Sequence, residues 1–288
     1  MALTSPGVIK STNEILVKLA PEITIVKQFA YDISDVVADY GDKIRVAMVT
    51  GGTAEQFDGS CANADYEHAT GELSDVFVTL DSQPKSTIPI TQMEKLELPN
   101  DSFWGKFAEA GSNSIGKAIS QKIDGLFTAA ACTGGKVTMA TVTLANLAKL
   151  RASCAGRVAD TVLILEPGYY ADMLGVLPFN AYGNQDPIMN GYVEKLFGFK
   201  AVVQGTDLPD GVKGALVPAN GVAVAVRPVA IVDETAYPEA GVIADENGFS
   251  LSVMRHTAFA TGKSFLNTTC LVGATLTQPA LTKYIAQS

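Results

Sequence analysis

Residues 101–128 read DSFWGKFAEAGSNSIGKAISQKIDGLFT, and the rest of the chain is best read outward from them. Apolar side chains recur at Trp104, Phe107, Ala108, Ile115, Ala118, Ile119, Ile123, Leu126 and Phe127, one face of a 3.6-residue period. Asp101 and Ser102 follow Pro99 and suit a helix start. The stretch predicts a helix of about 40 Å at 1.5 Å per residue, long for a globular domain. Gly105, Gly111 and Gly116 each weaken it by about 1 kcal/mol relative to Ala, so packing must hold it. The expected core face is Trp104, Phe107, Ile115, Ile119, Ile123 and Leu126, with Lys106, Gln121 and Lys122 turned outward. Taken alone, this is an ordinary long core helix.

What precedes it is extended. KIRVAMVT at 43–50 alternates polar and apolar residues and reads as a strand. Residues 51–73 are rich in Gly, acidic and small residues, a long loop of the kind that is usually functional or disordered. SDVFVTLDSQPKSTIPITQMEKLEL, 74–98, gives strands near 75–80 and 86–91. Pro84 and Pro89 confine it to edges or turns. The whole of 43–98 therefore reads as an extended β-hairpin loop. Its middle has too few large apolar residues to anchor it on its own subunit. Its strand edges are an aggregation hazard that a neighbour would cover. Before it, residues 13–40 form an amphipathic segment interrupted at Pro21. That segment is either a helix packed on the core or an arm lying across a neighbour.

After the long helix the character changes. Residues 138–153 read as a helix with Leu144, Leu147 and Leu150 on one face. DTVLILEP, 160–167, is a buried strand, and Gly168–Val176 a short helix with Pro167 near its first turn. Residues 177–191 are a loop. VEKLFGF, KAVVQG and GALVPA are short elements, and GVAVAVRPVAIV is a strong β stretch. FSLSVMRHTAF and TTCLVGATL give two more strands, with KSFLN between them. Strands alternating with helices imply an α/β half with a mixed sheet.

Composition bounds the function. The chain has 288 residues, 47% hydrophobic and 18% charged, enough for a large core in one or two domains. No run of 18 apolar residues occurs, so no membrane-spanning helix is expected, and the first residues lack a signal peptide's apolar stretch. Cys61, Cys132, Cys154 and Cys270 fit no disulfide framework or zinc spacing and read as reduced, partly buried thiols. The net charge is −9 and the 21 basic residues are scattered. Gripping duplex DNA needs clustered Lys and Arg, so sequence-specific DNA binding is not expected.

Catalytic patterns fail when tested. CTGGKVT at 132–138 has Val137 where a phosphate loop needs Ser or Thr after the Lys. GSNSIG at 111–116 carries Asn113 where a nucleophile elbow needs Ser. The two histidines are His68 and His256. Cys61 and His68 with Asp58, Asp65 and Glu67 could form a metal cluster, but a solvated acidic loop is the better reading. Asn267-Thr268-Thr269 is a glycosylation sequon without meaning unless the chain is secreted. No catalytic, cofactor or metal site is expected.

The succession carries a resemblance. VFVTLDSQPKSTIPIT leads into DSFWGKFAEAGSNSIGKAISQKIDGLF, followed by DTVLILEPGYYADMLG, NGYVEKLFGFKAVVQGTDLP and the long closing β region. This order resembles the major capsid protein of tailed double-stranded DNA phages, the Hong Kong 97-like fold, which encapsulin shell proteins share. The resemblance implies an α+β chain. Residues 1–42 would be an N-terminal arm, 43–98 the extended loop, and 99–132 the spine helix of a peripheral domain. Residues 133–230 would be an α/β axial domain around capsomer centres, and 231–288 the return strands of the peripheral domain and the C-terminus. It places intersubunit contacts of the loop at Val78, Leu80, Lys85, Ile88 and Ile90.

The partners it implies are further copies in pentamers and hexamers, a separate scaffolding protein, a portal and enclosed double-stranded DNA, with no membrane. It implies a virion location, with assembly in the host cytoplasm. Some members cross-link a loop lysine to an asparagine. Lys85 and Lys95 lie in the matching region, but acceptor and catalytic carboxylate have no match, so that activity is not carried over. The alternatives are an encapsulin-type nanocompartment and a cytoplasmic α/β enzyme using 130–230. The enzyme would need convergent titratable groups in a pocket.

Overall fold

The computed structural model describes residues 25–26, 28–34, 39–50, 72–90, 100–154, 158–176, 192–194, 196–230, 239–244, 249–258 and 263–287. In the first half, strand β1 is Ala30–Asp32, β2 Lys43–Thr50, β3 Glu72–Thr79 and β4 Lys85–Ile90, and helix α1 is Asn100–Asp124. Next come β5 (Lys136–Thr138), α2 (Leu144–Ser153), β6 (Thr161–Leu165) and α3 (Pro167–Val176). β7 (Tyr192–Glu194), β8 (Ala201–Gln204), β9 (Gly214–Pro218) and β10 (Val222–Arg227) follow. The chain closes with β11 (Glu239–Ala244), β12 (Ser250–Ala258), β13 (Lys263–Thr269), β14 (Leu271–Leu276) and β15 (Lys283–Ala286).

β6 explains the α/β half. Its residues TVLIL are all buried, with no polar alternation, because both faces of its sheet are covered. It lies inside a six-stranded mixed sheet of order β5-β15-β9-β6-β8-β7, parallel to β8 and antiparallel to β9. Leu163 and Leu165 face α2 and α3, which contribute Leu147, Leu150, Tyr170 and Met173. Val162 and Ile164 face the opposite way, into a core shared with Ile115, Ile119 and Ile123 of α1. The Thr143 hydroxyl caps α2 by accepting from the Asn146 N–H at 3.2 Å. Pro167 opens α3, where its missing N–H costs nothing.

β10 runs VAVAV with every residue buried. Val222, Val224 and Val226 join the α1 core, while Ala223 and Ala225 face Ile44, Val46, Val78 and Leu80 of the β2–β3 hairpin. The small residues on that side let the hairpin approach closely. Gly273 on the adjacent β14 does the same: a Cβ there would meet the Thr79 carbonyl oxygen at 2.5 Å. β1, β10 and β14 form a three-stranded sheet, and β11-β12-β13-β4 a four-stranded antiparallel one. Leu251, Val253 and Leu266 of the latter point into the α1 core.

Several expectations change here. The helix stops at Asp124 rather than running to 128. Leu126 and Phe127 donate N–H groups to the Ile123 and Asp124 carbonyls in a tightened turn. That turn buries Phe127 edge-to-face against Phe29 at 6.4 Å. The β3 and β4 strands do not pair with each other. The hairpin is β2 with β3, and β4 crosses to β13 as an outer strand, where Pro89 is tolerated.

KSFLN is not a link but the first part of β13, since Ser264 and Leu266 alternate inward with Thr268. β5 occupies 136–138, and α2 begins only at Leu144. β11 went unforeseen. Strand partners lie on both sides of 230: β10 pairs with β14, and β15 returns beside β9 to complete the six-stranded sheet. Finally, residues 25–26 and 28–34 are not free arm. Val26, Phe29, Ile33 and Ser34 are buried, and 30–32 is a strand parallel to β10 rather than helix. Residues 1–24 lie outside the described residues.

Candidate functional site

The last turn of α1 is where the parts of the molecule meet. Ile123 is 1% exposed and lies in the main core. Its neighbours on either side reach separate elements. Gln121 donates its side-chain N–H to the Asp207 carboxylate at 2.9 Å. The Lys122 ammonium contacts both oxygens of Asp81, just past β3, at 2.9 and 3.0 Å. Asp124 accepts the backbone N–H groups of Thr206 and Asp207 at 2.6 and 3.0 Å. Burial pushes the Asp124 carboxyl above its ordinary range; those two hydrogen bonds pull it back, and the Asp207 charge adds to the rise. Ile25, Val26 and Phe29 line a cleft beside it. Lys200 donates to the Gln28 carbonyl at 2.8 Å and holds that segment beside β8.

The outward hairpin face is the second feature. Register places Lys43, Arg45 and Ala47 opposite Thr79, Phe77 and Asp75. Arg45 Nε meets Asp75 Oδ1 at 2.8 Å. Phe77 stands beside them, 52% exposed. Val242 on β11, at one margin of the four-stranded sheet, is similarly exposed at 51%. On the half built around the six-stranded sheet Leu144 and Leu281 are exposed. Large apolar groups on a water-facing face mark association sites more often than chemistry.

The expected residues divide. Ile115, Ile119 and Ile123 are buried, while Leu126 is half-buried against the same core. The side chains of Trp104, Phe107 and Lys106 lie outside the described residues. Gln121 and Lys122 face away from the core but are engaged as above. Val78 and Leu80, expected against a neighbour, are corrected: both are 0% exposed within their own subunit. The strand alternates, so the outward residue is Phe77, one position out of phase with that expectation. The signal was an aromatic on the polar phase of VFVT. Lys85 is exposed and Ile88 half-buried on β4; the Ile90 side chain lies outside the described residues.

The tested motifs have structural uses. In CTGGKVT, the Gly134 N–H donates to the Pro279 and Thr282 carbonyls at 2.9 and 3.1 Å, so it does not face a phosphate. A Cβ on Gly134 would lie 2.6 Å from the Thr282 oxygen, which explains the glycine. Asn113 sits exposed inside α1. His256 stacks on Phe265 at 5.0 Å, with Nδ1 3.1 Å from the Asn267 amide nitrogen. Among the described residues no cluster of three metal-binding side chains occurs. The Cys61–His68 loop lies outside them. No helix among the described residues is long and apolar enough to cross a membrane.

Solved structures share this fold. The capsid of cyanophage P-SCSP1u is similar at TM-score 0.56 and 13% identity, covering 90% of this chain and 86% of that one. The chain has a phage capsid fold. The capsid of a native GTA particle matches at TM-score 0.55 and 14% identity, over 91% and 89% of the two chains. The capsid of Ralstonia phage GP4 matches at 0.53 and 10%, over 86% and 83%. Neither a protein-family model nor a curated protein matches the sequence. The likeness with the capsids lies in the order and placement of elements. In a capsid fold the exposed hairpin face and the outer strands of the four-stranded sheet become the surfaces to examine.

Proposed function

We propose that this chain is the shell-building subunit of a tailed double-stranded DNA phage head, a structural protein rather than an enzyme. Copies of one chain associate in pentamers and hexamers and close an icosahedral shell around the genome. A separate scaffolding protein and a portal complete the assembly, which takes place in the host cytoplasm and yields the virion capsid. The observation that carries this reading is the capsid fold over about nine-tenths of the chain. Three features support it. The outward hairpin face presents Phe77 beside Arg45, residue types enriched at interfaces, with Arg45 paired to Asp75. The outer strands β4 and β11 offer backbone groups to a neighbour. The net charge of −9 keeps an enclosing wall from adhering to DNA.

Within this reading Phe77, Lys85 and Ile88 contact an adjacent subunit, and the axial sheet with Leu144 and Leu281 lies around the capsomer centre. The test is size. Purified protein examined by light scattering and negative-stain microscopy should give capsomers or closed hollow particles. A monodisperse monomer at micromolar concentration, with or without scaffold, would overturn the proposal.

A further inference from the structure

We propose that Lys122 and Asp81 are a positioning pair that sets the angle at which the β2–β3 hairpin leaves the subunit. The consequence for shell closure rests on the function proposed above; the joint itself does not. The inward side chains grip the hairpin on one face, Ile44, Val46, Val78 and Leu80 packing against the alanines of β10. Packing of that kind resists lifting but lets a ladder pivot in its own plane. A second attachment off that face is needed to stop the pivot. At the hairpin's exit the Ser82–Val272 backbone bridge fixes one point about which the ladder can turn, and Asp81 beside it supplies the second, held by both carboxylate oxygens to Lys122. Tyr40, before β2, donates its hydroxyl to the Asp81 carbonyl at 3.4 Å, so both legs share the tie. The anchor at the other end is firm, because Ile123 is buried and Asp124 is bonded to the 206–207 loop. Eight residues of strand extend about 27 Å from the base, so a swing of about 10° moves the far end by about 5 Å. That exceeds the tolerance of a hydrogen bond at an interface. A surface pair with little influence on folding stability therefore has leverage on where the hairpin arrives.

The experiment uses the full chain and four forms: wild type, Lys122→Ala, Asp81→Asn, and the charge-exchanged double variant Lys122→Asp/Asp81→Lys. Spin labels carried on unnatural amino acids at the exposed positions Ser74 and Lys149 report the distance from the hairpin to α2 in isolated subunits. A single narrow distribution is expected in the wild type. It should broaden in both single variants and narrow again in the exchange, with melting temperatures unchanged. Shell formation followed by light scattering should then slow several-fold in the single variants and recover in the exchange. Equal widths in all four forms would overturn the joint, whether or not particles form. Broadened widths with unaltered assembly would overturn its role in closure. A wild type that shows the narrow distribution but never assembles would count against the shell function and leave the joint standing.

Discussion

A carboxylate stands in the last turn of α1, where burial and the helix dipole both oppose its charge. Asp124 is tolerated because two backbone N–H groups from the 206–207 loop converge on one of its oxygens. The sign of its pH dependence follows. The folded-state value is raised above the unfolded one, about 3.9 for an ordinary Asp, so the native state binds the proton more tightly. Stability contributed by this group is therefore highest below the ordinary value. It declines as pH rises through the raised one and stays at the lower level at neutrality. Asp124→Asn keeps an oxygen for both N–H groups and removes the charge. The melting-temperature gain of the variant over wild type should be larger at neutral pH than in mild acid; a pH-independent gap would show that Asp124 does not titrate there. Burial acts on the thiols as well, raising Cys132 to about 11 and Cys270 to about 12. Both should resist alkylation in the folded protein at mildly alkaline pH and label only after unfolding, as read by mass spectrometry of the tryptic peptides.

Two elements carry most of the architecture. On α1, truncating Ile119 opens a cavity in the core shared with the six-stranded sheet. Ile119→Ala should cost about 2–5 kcal/mol in denaturant unfolding. Lys122→Ala, which loses a part-exposed ion pair, should cost about 0–1 kcal/mol. Equal costs would mean that the buried face is assigned wrongly. The hairpin depends on a close approach rather than on large side chains. With no Cβ at 273, β14 lies against the Thr79 carbonyl. Gly273→Ala must push β3 away, and overpacking of this kind costs about 1–3 kcal/mol. The loss should appear as faster hydrogen exchange in 43–50 and 72–79 before it appears in the six-stranded sheet. Periodicity alone could not foresee this contact, since a glycine in a strand says only that something comes near, not what.

For the assembled particle, the decisive residue is one that the isolated subunit does not need. Phe77→Asp places a charge on a face already exposed to water, so the subunit should melt as the wild type does. In the proposed shell the same side chain is covered, and the variant should give subunits without particles in negative stain. Particles of normal yield would remove Phe77 from the interface. The sequence sufficed for the long amphipathic helix, the all-apolar strand at 161–165, the proline-led helix after it and the order of parts that resembles a capsid chain. Each of those is written in local periodicity or in a residue whose backbone chemistry allows one role. It did not suffice for which strands pair. Alternation shows that a strand has two faces but not which one finds a core, so Val78 and Leu80 were placed outward and Phe77 was passed over. Nor could it show that β4 abandons β3 for β13, that β10 pairs with β14 and β15 with β9, or that residues 25–26 and 28–34 are built into the body. Those choices join residues that are far apart in sequence, and they are made by the burial of both faces of a shared core. No single segment carries that information, and it exists only once the chain has closed on itself.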